Sequence, residues 1–233
     1  MASTELRQAH FDWDPNGDTL DSCGEVAVSR DRSGYLPLEA DRAQLLRSRN
    51  LAAFEENPRL AELETRLLDL GGTTALLFLR EPRAGELLDR GRSFSGDGAR
   101  RARGKKSDCH ANAARLFCRS EGKVRIASGY ALSPDGLWRQ HSWGWDPEKS
   151  LVIETTEDRD LYYGYVLDDP ESLEFILGNC PLSTPLSQKD KKLLDFLADY
   201  FGRQFVHDAM HCARVPREPD RHVGEGEGEH PVH

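Results

Sequence analysis

The sequence predicts an α+β fold, with a single domain over residues 41–212, on three observations. A segment of helical period opens at Cys109 and runs to Arg119. Four β-rich segments follow at 124–132, 137–146, 151–156 and 162–167, separated by turns such as Ser133-Pro134-Asp135-Gly136. Helical patterns flank this block on both sides. A helix leading into an antiparallel meander, with further helices at its margins, is an α+β layout.

In chain order, residues 1–40 form an irregular N-terminal extension in which DPNGD and SRDRSG are turn signals and Glu25–Ser29 reads as one short strand. From Asp41, the residues Ala43, Leu46, Leu51 and Phe54 keep a rough helical spacing. Asn57-Pro58 is a start signal, a cap followed by proline at the first helical position, and Leu60, Leu63, Leu67, Leu68 and Leu70 give the next helix its apolar face before Gly71-Gly72 stops it. TTALLFLR at 73–80 fits a short buried strand, and a helix segment fits the same pattern. Between Glu81 and Lys106 the chain turns to Gly, Ser, Pro and Arg, and no element is expected there. Its basic end, GDGARRARGKK, is either a solvated loop or a lip that attracts an acidic substrate. Asp108 reads as the N-cap of the Cys109 helix, with Ala113, Leu116 and Phe117 facing inward. Ser187 and Asp190 resemble a capping box for a last helix through Leu193, Leu194, Leu197, Tyr200 and Phe201, which Gly202 either ends or interrupts. Residues 213–233, rich in Pro, Gly and Glu, read as a disordered acidic tail.

Composition narrows the function. A formal net charge of −9 argues against nucleic acid and anionic membranes as partners, since both demand an excess of Lys and Arg. No apolar run approaches the ~20 residues of a membrane span, and the N-terminus lacks the pattern of a secretory signal. Five scattered cysteines do not read as a disulfide framework. The expected compartment is reducing cytoplasm, where a thiol persists.

Three residues carry the chemistry. Cys109 follows an N-cap, so first-turn N–H groups and the helix dipole lower its thiol pKa, an advantage that Cys118 in the body of the helix lacks. His141 shares a strand face with Trp143 and Trp145. If Asp146 pairs with Leu151 across the next turn, Trp143 faces Glu154 and His141 becomes the diagonal neighbour of that carboxylate. A nucleophile, a base and an acid that orients the base are the parts of thiol-based catalysis. Asp146 competes for the acid's role but is expected in the turn. Substrate contacts are expected from His110, Trp138, Gln140 and Trp143, although an aromatic strand face such as that of the tryptophans also reads as plain core.

A cysteine at a helix start, then Ser128-Gly129-Tyr130, His141-Ser142-Trp143, and an acid followed by two threonines together resemble the core of the transglutaminase-like superfamily, over residues 104–167. The resemblance implies a papain-like arrangement with Cys109 as nucleophile, His141 as base and Glu154 as acid. It implies acyl transfer from an amide or peptide to water or an amine, without a cofactor. The expected partner is then a peptide, a protein or a small amide. Glu154 stands where the family usually has Asp, Asp108 replaces the usual aromatic residue or glycine, and His110 and Asn112 are outside the pattern. Two rival readings remain. One is a non-catalytic binding module on the same fold. The other is a zinc site using His207, His211 and Cys212, where the two histidines share a helix face at i and i+4.

Overall fold

A computed structural model describes residues 38–78 and 81–214, with side chains through residue 211. The expected N-terminal strand at Glu25–Ser29 and nearly all of the expected tail lie outside the described residues. The elements are α1 (Ala40–Glu56), α2 (Pro58–Asp69), β1 (Thr74–Leu76), α3 (Ala84–Arg90), β2 (Arg92–Ser95), β3 (Arg100–Arg101), α4 (Cys109–Arg119), β4 (Arg125–Leu132), β5 (Leu137–Asp146), β6 (Leu151–Glu154), β7 (Leu161–Val166), α5 (Asp169–Asn179), α6 (Gln188–Phe201) and α7 (Arg203–Arg214). The fold is α+β: one mixed sheet in the order β2-β7-β4-β5-β6-β3, with β1 added beside β5. Among the described residues, no helix is long and apolar enough to cross a membrane.

The sheet has two unlike faces because successive strand residues point to opposite sides. On one face Ile126, Tyr130 and Trp138 meet Ala113, Ala114 and Phe117 of α4, together with α2, α5 and α6, in the larger core. On the other, Phe94, Ala127, Ala131, Trp143, Val152 and Tyr162 form a smaller cluster. Close packing of α4 on β5 depends on Gly144, where a Cβ would lie 2.6 Å from Leu116 Cδ2 and 2.7 Å from Val124 Cγ1. Any side chain there would force the Leu116 and Val124 side chains to shift.

Strand β5 forks. Its first residues pair in parallel with β1 (Leu137–Arg139 with Thr74–Leu76), and its last pair antiparallel with β6 (Gly144–Asp146 with Ile153–Leu151). Between the two, residues 140–143 have no strand partner on that edge among the described residues. The N-terminus of α4 comes to this gap. The register joins Asp146 to Leu151, as expected, and ends at Gly144 with Ile153, so Glu154 follows the last pair beside the gap.

Several expectations need correction. The stretch from Glu81 to Lys106, where no element was expected, holds α3, β2 and β3, the last within the basic segment. Phe94 of β2 buries into the smaller cluster, and β3 pairs with β6, placing Arg101 beside Glu154. Among the described residues of TTALLFLR the strand covers Thr74–Leu76, and the one expected at 151–156 ends at Glu154, because its carboxylate draws the next two N–H groups into a bend. Asp108 occupies the N-cap position but makes no side-chain cap bond; its carboxylate takes Arg115 at 3.2 Å instead. Gly202, with φ 94°, separates α6 from α7. Helix α5 lay outside the expected elements.

Candidate active site

Cys109 and His141 reach each other around the sheet edge. Helix α4 lies on the large-core face, while His141 points to the face of Trp143 and Tyr162. A helix on one side and a ring on the other can touch only where the edge is open, and the gap in β5 supplies that opening. There Cys109 hydrogen-bonds the His141 ring, and the backbone N–H groups of Ser142 and His110 also reach the sulfur.

His141 is 3% exposed and Glu154 is fully buried. The His141 Nε2 lies 2.9 Å from Glu154 Oε2, which leaves Nδ1 for the sulfur. Four further donors converge on the carboxylate. Oε1 accepts the N–H of Thr155 at 2.7 Å, the N–H of Thr156 at 2.8 Å and the Thr156 hydroxyl at 2.9 Å. Oε2 accepts the Tyr162 hydroxyl at 2.9 Å. A buried carboxylate is tolerable when its lone pairs are filled in this way. Asp146 stays in the turn, accepting the N–H groups of Glu148 and Lys149.

These contacts decide the charge states. Burial alone would push the Cys109 thiol up, but the hydrogen bond and charge of His141, with the two backbone donors, outweigh it and hold the thiol below its ordinary value. Burial opposes protonation of His141, yet its partners Cys109 and Glu154 raise it to about 9. Burial likewise opposes ionisation of Glu154, and His141, the Thr156 N–H and Tyr162 bring it down to about 2. Together they favour a thiolate–imidazolium pair backed by a carboxylate. Cys118 is the contrast: buried in the body of α4, it is pushed far above the ordinary thiol range.

A cavity of about 630 Å³ opens at Cys109 and His141, bounded also by Gln140, Lys106, Arg139 and Arg159. The basic segment forms part of its wall and is fixed from two sides. Asn112, 2% exposed in α4, accepts the Lys105 N–H at 3.0 Å and donates to the Lys105 carbonyl at 2.8 Å. Ala102 N–H donates to the Glu154 carbonyl at 2.8 Å. Gly104 permits the approach, since a Cβ there would sit 2.3 Å from the Thr155 carbonyl oxygen.

The other expected site residues divide. Gln140 borders the cavity, and its Nε2 donates to Glu81 at 3.3 Å. His110 turns away into an adjoining cavity of about 310 Å³ shared with Glu81 and Gln140. Its Nδ1 lies 2.7 Å from the Ser142 hydroxyl, which in turn donates to Ser128. Burial and the charge of His141 lower its pKa, which keeps it neutral. Trp138 and Trp143, expected at the substrate, are fully buried and do not line the cavity. Trp138 donates its indole N–H to the Gly71 carbonyl at 2.7 Å in the large core, and Trp143 packs against Tyr162 behind His141. Tyr162 and the Ser142 N–H escaped the sequence reading. Tyr162 had one signal, its place in the YYGYV strand next to the acid's strand.

His207 and His211 share an exposed helix face with their Nε2 atoms 3.0 Å apart. Among the described residues no group of three or more His, Cys, Asp or Glu could hold a metal ion, and the side chain of Cys212 lies outside them. Comparison of the chain with protein-family models, with curated proteins and with solved structures gave no match.

Proposed function

We propose that the protein is a thiol-dependent hydrolase or acyltransferase acting on an amide or peptide bond, on a transglutaminase-like, papain-like core. The observation that carries this reading is the continuous chain of contacts at the β5 gap: sulfur to imidazole, and imidazole to a carboxylate 2.9 Å away. An inert buried cysteine needs no such partners.

In this reading the Cys109 thiolate attacks the acyl carbon, forming a C–S bond while the carbonyl π pair moves to oxygen. The oxyanion collapses, the C–N bond breaks, and His141 gives its proton to the departing amine. Water or an amine then attacks the thioester, losing a proton to His141, and sulfur leaves as thiolate. Glu154 keeps the ring oriented and stabilises the imidazolium. The Cys109 N–H, in the first helical turn, has no intrahelical acceptor, so it and the Gln140 amide at the cavity wall are the donors available to the oxyanion.

Incubation with peptide mixtures and intact-mass spectrometry tests the proposal. The expected result is an acyl adduct on Cys109 that is absent from Cys109→Ala, with the melting temperature of that variant within a few degrees of the parent. No adduct, together with broad unfolding of the variant, would mark Cys109 as a packing residue and overturn the proposal.

A further inference from the structure

Charge at the cavity is opposite to that of the chain. The protein carries a formal net charge of −9, yet the wall around Cys109 presents Lys106, Arg139 and Arg159 against Glu157 and the Asp135 that pairs with Arg139, three cations to two carboxylates. The two arginines are held in place. Both terminal nitrogens of Arg139 are fixed by Asp135 at 2.8 and 2.6 Å. Arg159, with its side chain 7% exposed, is tied to Glu157 at 2.5 Å and to the Ser133 hydroxyl, and its buried Nε–H has no acceptor among the described residues. Lys106 is exposed and sits one residue beyond the peptide clamped by Asn112.

Each guanidinium has five N–H donors, and the anchoring acids occupy only part of them. A weakly hydrated, pre-positioned guanidinium suits a carboxylate. A walled cavity with an excess of one sign of charge also raises the local concentration of the opposite sign. A cationic substrate would be repelled here, which is a source of selectivity as real as attraction.

We infer that the cavity selects an acyl donor bearing a carboxylate close to the carbonyl that is attacked, that is, an acidic peptide or amide. The inference rests on Cys109 being the nucleophile. The carboxylate is either an Asp or Glu side chain or a free C-terminus, and the test separates the two.

Residue-resolved alkylation of Cys109 in the full chain, with iodoacetate and with iodoacetamide, provides the test. The iodoacetate-to-iodoacetamide rate ratio at Cys109 is expected to exceed that of free cysteine by about tenfold. It should fall several-fold in Lys106→Gln, an exposed position, in Arg139→Gln, and in high salt. Because His141 also carries charge, the variants isolate the contribution of the wall. N-acetyl-aspartate amide and N-acetyl-alanine should then compete with alkylation where uncharged N-acetyl-asparagine amide does not. Protection by the first marks a side-chain carboxylate, and protection by the second a terminal one. Fast iodoacetamide labelling with a ratio that neither variant changes, or with no protection by either acid, would overturn the inference and leave the nucleophile standing. Iodoacetamide labelling no faster than in the denatured chain would overturn both.

Discussion

Glu154→Gln is the most informative single change, because it keeps the shape of the side chain and removes its charge. The carboxylate accepts from five donors, two on one oxygen and three on the other. A glutamine has one oxygen, so one side of the site must face an NH2 group. Turned toward Thr155 and Thr156, that group meets two backbone N–H donors that cannot become acceptors. Turned toward His141, it forces Nε2 to accept and moves the ring proton to Nδ1, the wrong tautomer for receiving a proton from sulfur. Breaking a buried charged pair of this kind costs about 3–5 kcal/mol. At about 2–4 °C per kcal/mol for a domain of this size, the melting temperature should fall by about 6–20 °C. Without the carboxylate the imidazolium loses a principal support, so alkylation of Cys109 by iodoacetamide at pH 6 should slow by about tenfold or more, equivalent to one pKa unit or ~1.4 kcal/mol. Stopped-time alkylation read by mass spectrometry, beside a thermal melt, measures both. A variant that melts early but alkylates within twofold of the parent would show that Glu154 supports the fold and not the thiol, and would refute the reasoning.

Two further outcomes follow from the same contacts. Glu154, lowered from 4.5 to about 2, contributes stability in full above its unfolded pKa, lost as pH falls toward 2. His141, raised from 6.5 to about 9, contributes in full below pH ~6.5 and loses it as pH rises through 9. The melting-temperature difference between the parent and Glu154→Gln should therefore be greatest between about pH 4.5 and 6.5 and shrink on both sides; a difference that is flat with pH would contradict this. Asn112→Ala should cost about 1–3 kcal/mol by leaving both Lys105 backbone groups without partners, and should speed tryptic cleavage at residues 101–106. Unchanged melting and cleavage would show that the basic segment is held in some other way.

The trio was legible in the sequence because each member announced itself locally. Cys109 follows a cap position, His141 lies in an alternating strand, and Glu154 stands beside apolar Ile153 at a spacing that one turn register converts into proximity. What stayed hidden depends on long-range pairing. The fork in β5, which lets a sulfur and an imidazole on opposite faces meet, exists only because β1 arrives from residues 74–76. Strands β2 and β3 were masked by Gly and Arg, residues that favour loops until a partner strand supplies the hydrogen bonds. The tryptophans misled for a related reason. An aromatic strand face reads alike whether it lines a cleft or a core, and only the packing of Phe94 and Tyr162 over Trp143 decides. Helix α5, by contrast, carried a full signal in Asp168, Pro170 and Glu171, a capping box with proline in the first turn.

The thiolate itself is the most direct object to measure. Absorbance near 240 nm, titrated from pH 4 to 10 and taken as the difference between the parent and Cys109→Ala, reports the ionisation of this one sulfur. A step well below the ~8.5 of a free cysteine, moving upward in His141→Ala, is the predicted result. A step at or above that value, indifferent to His141, would contradict it.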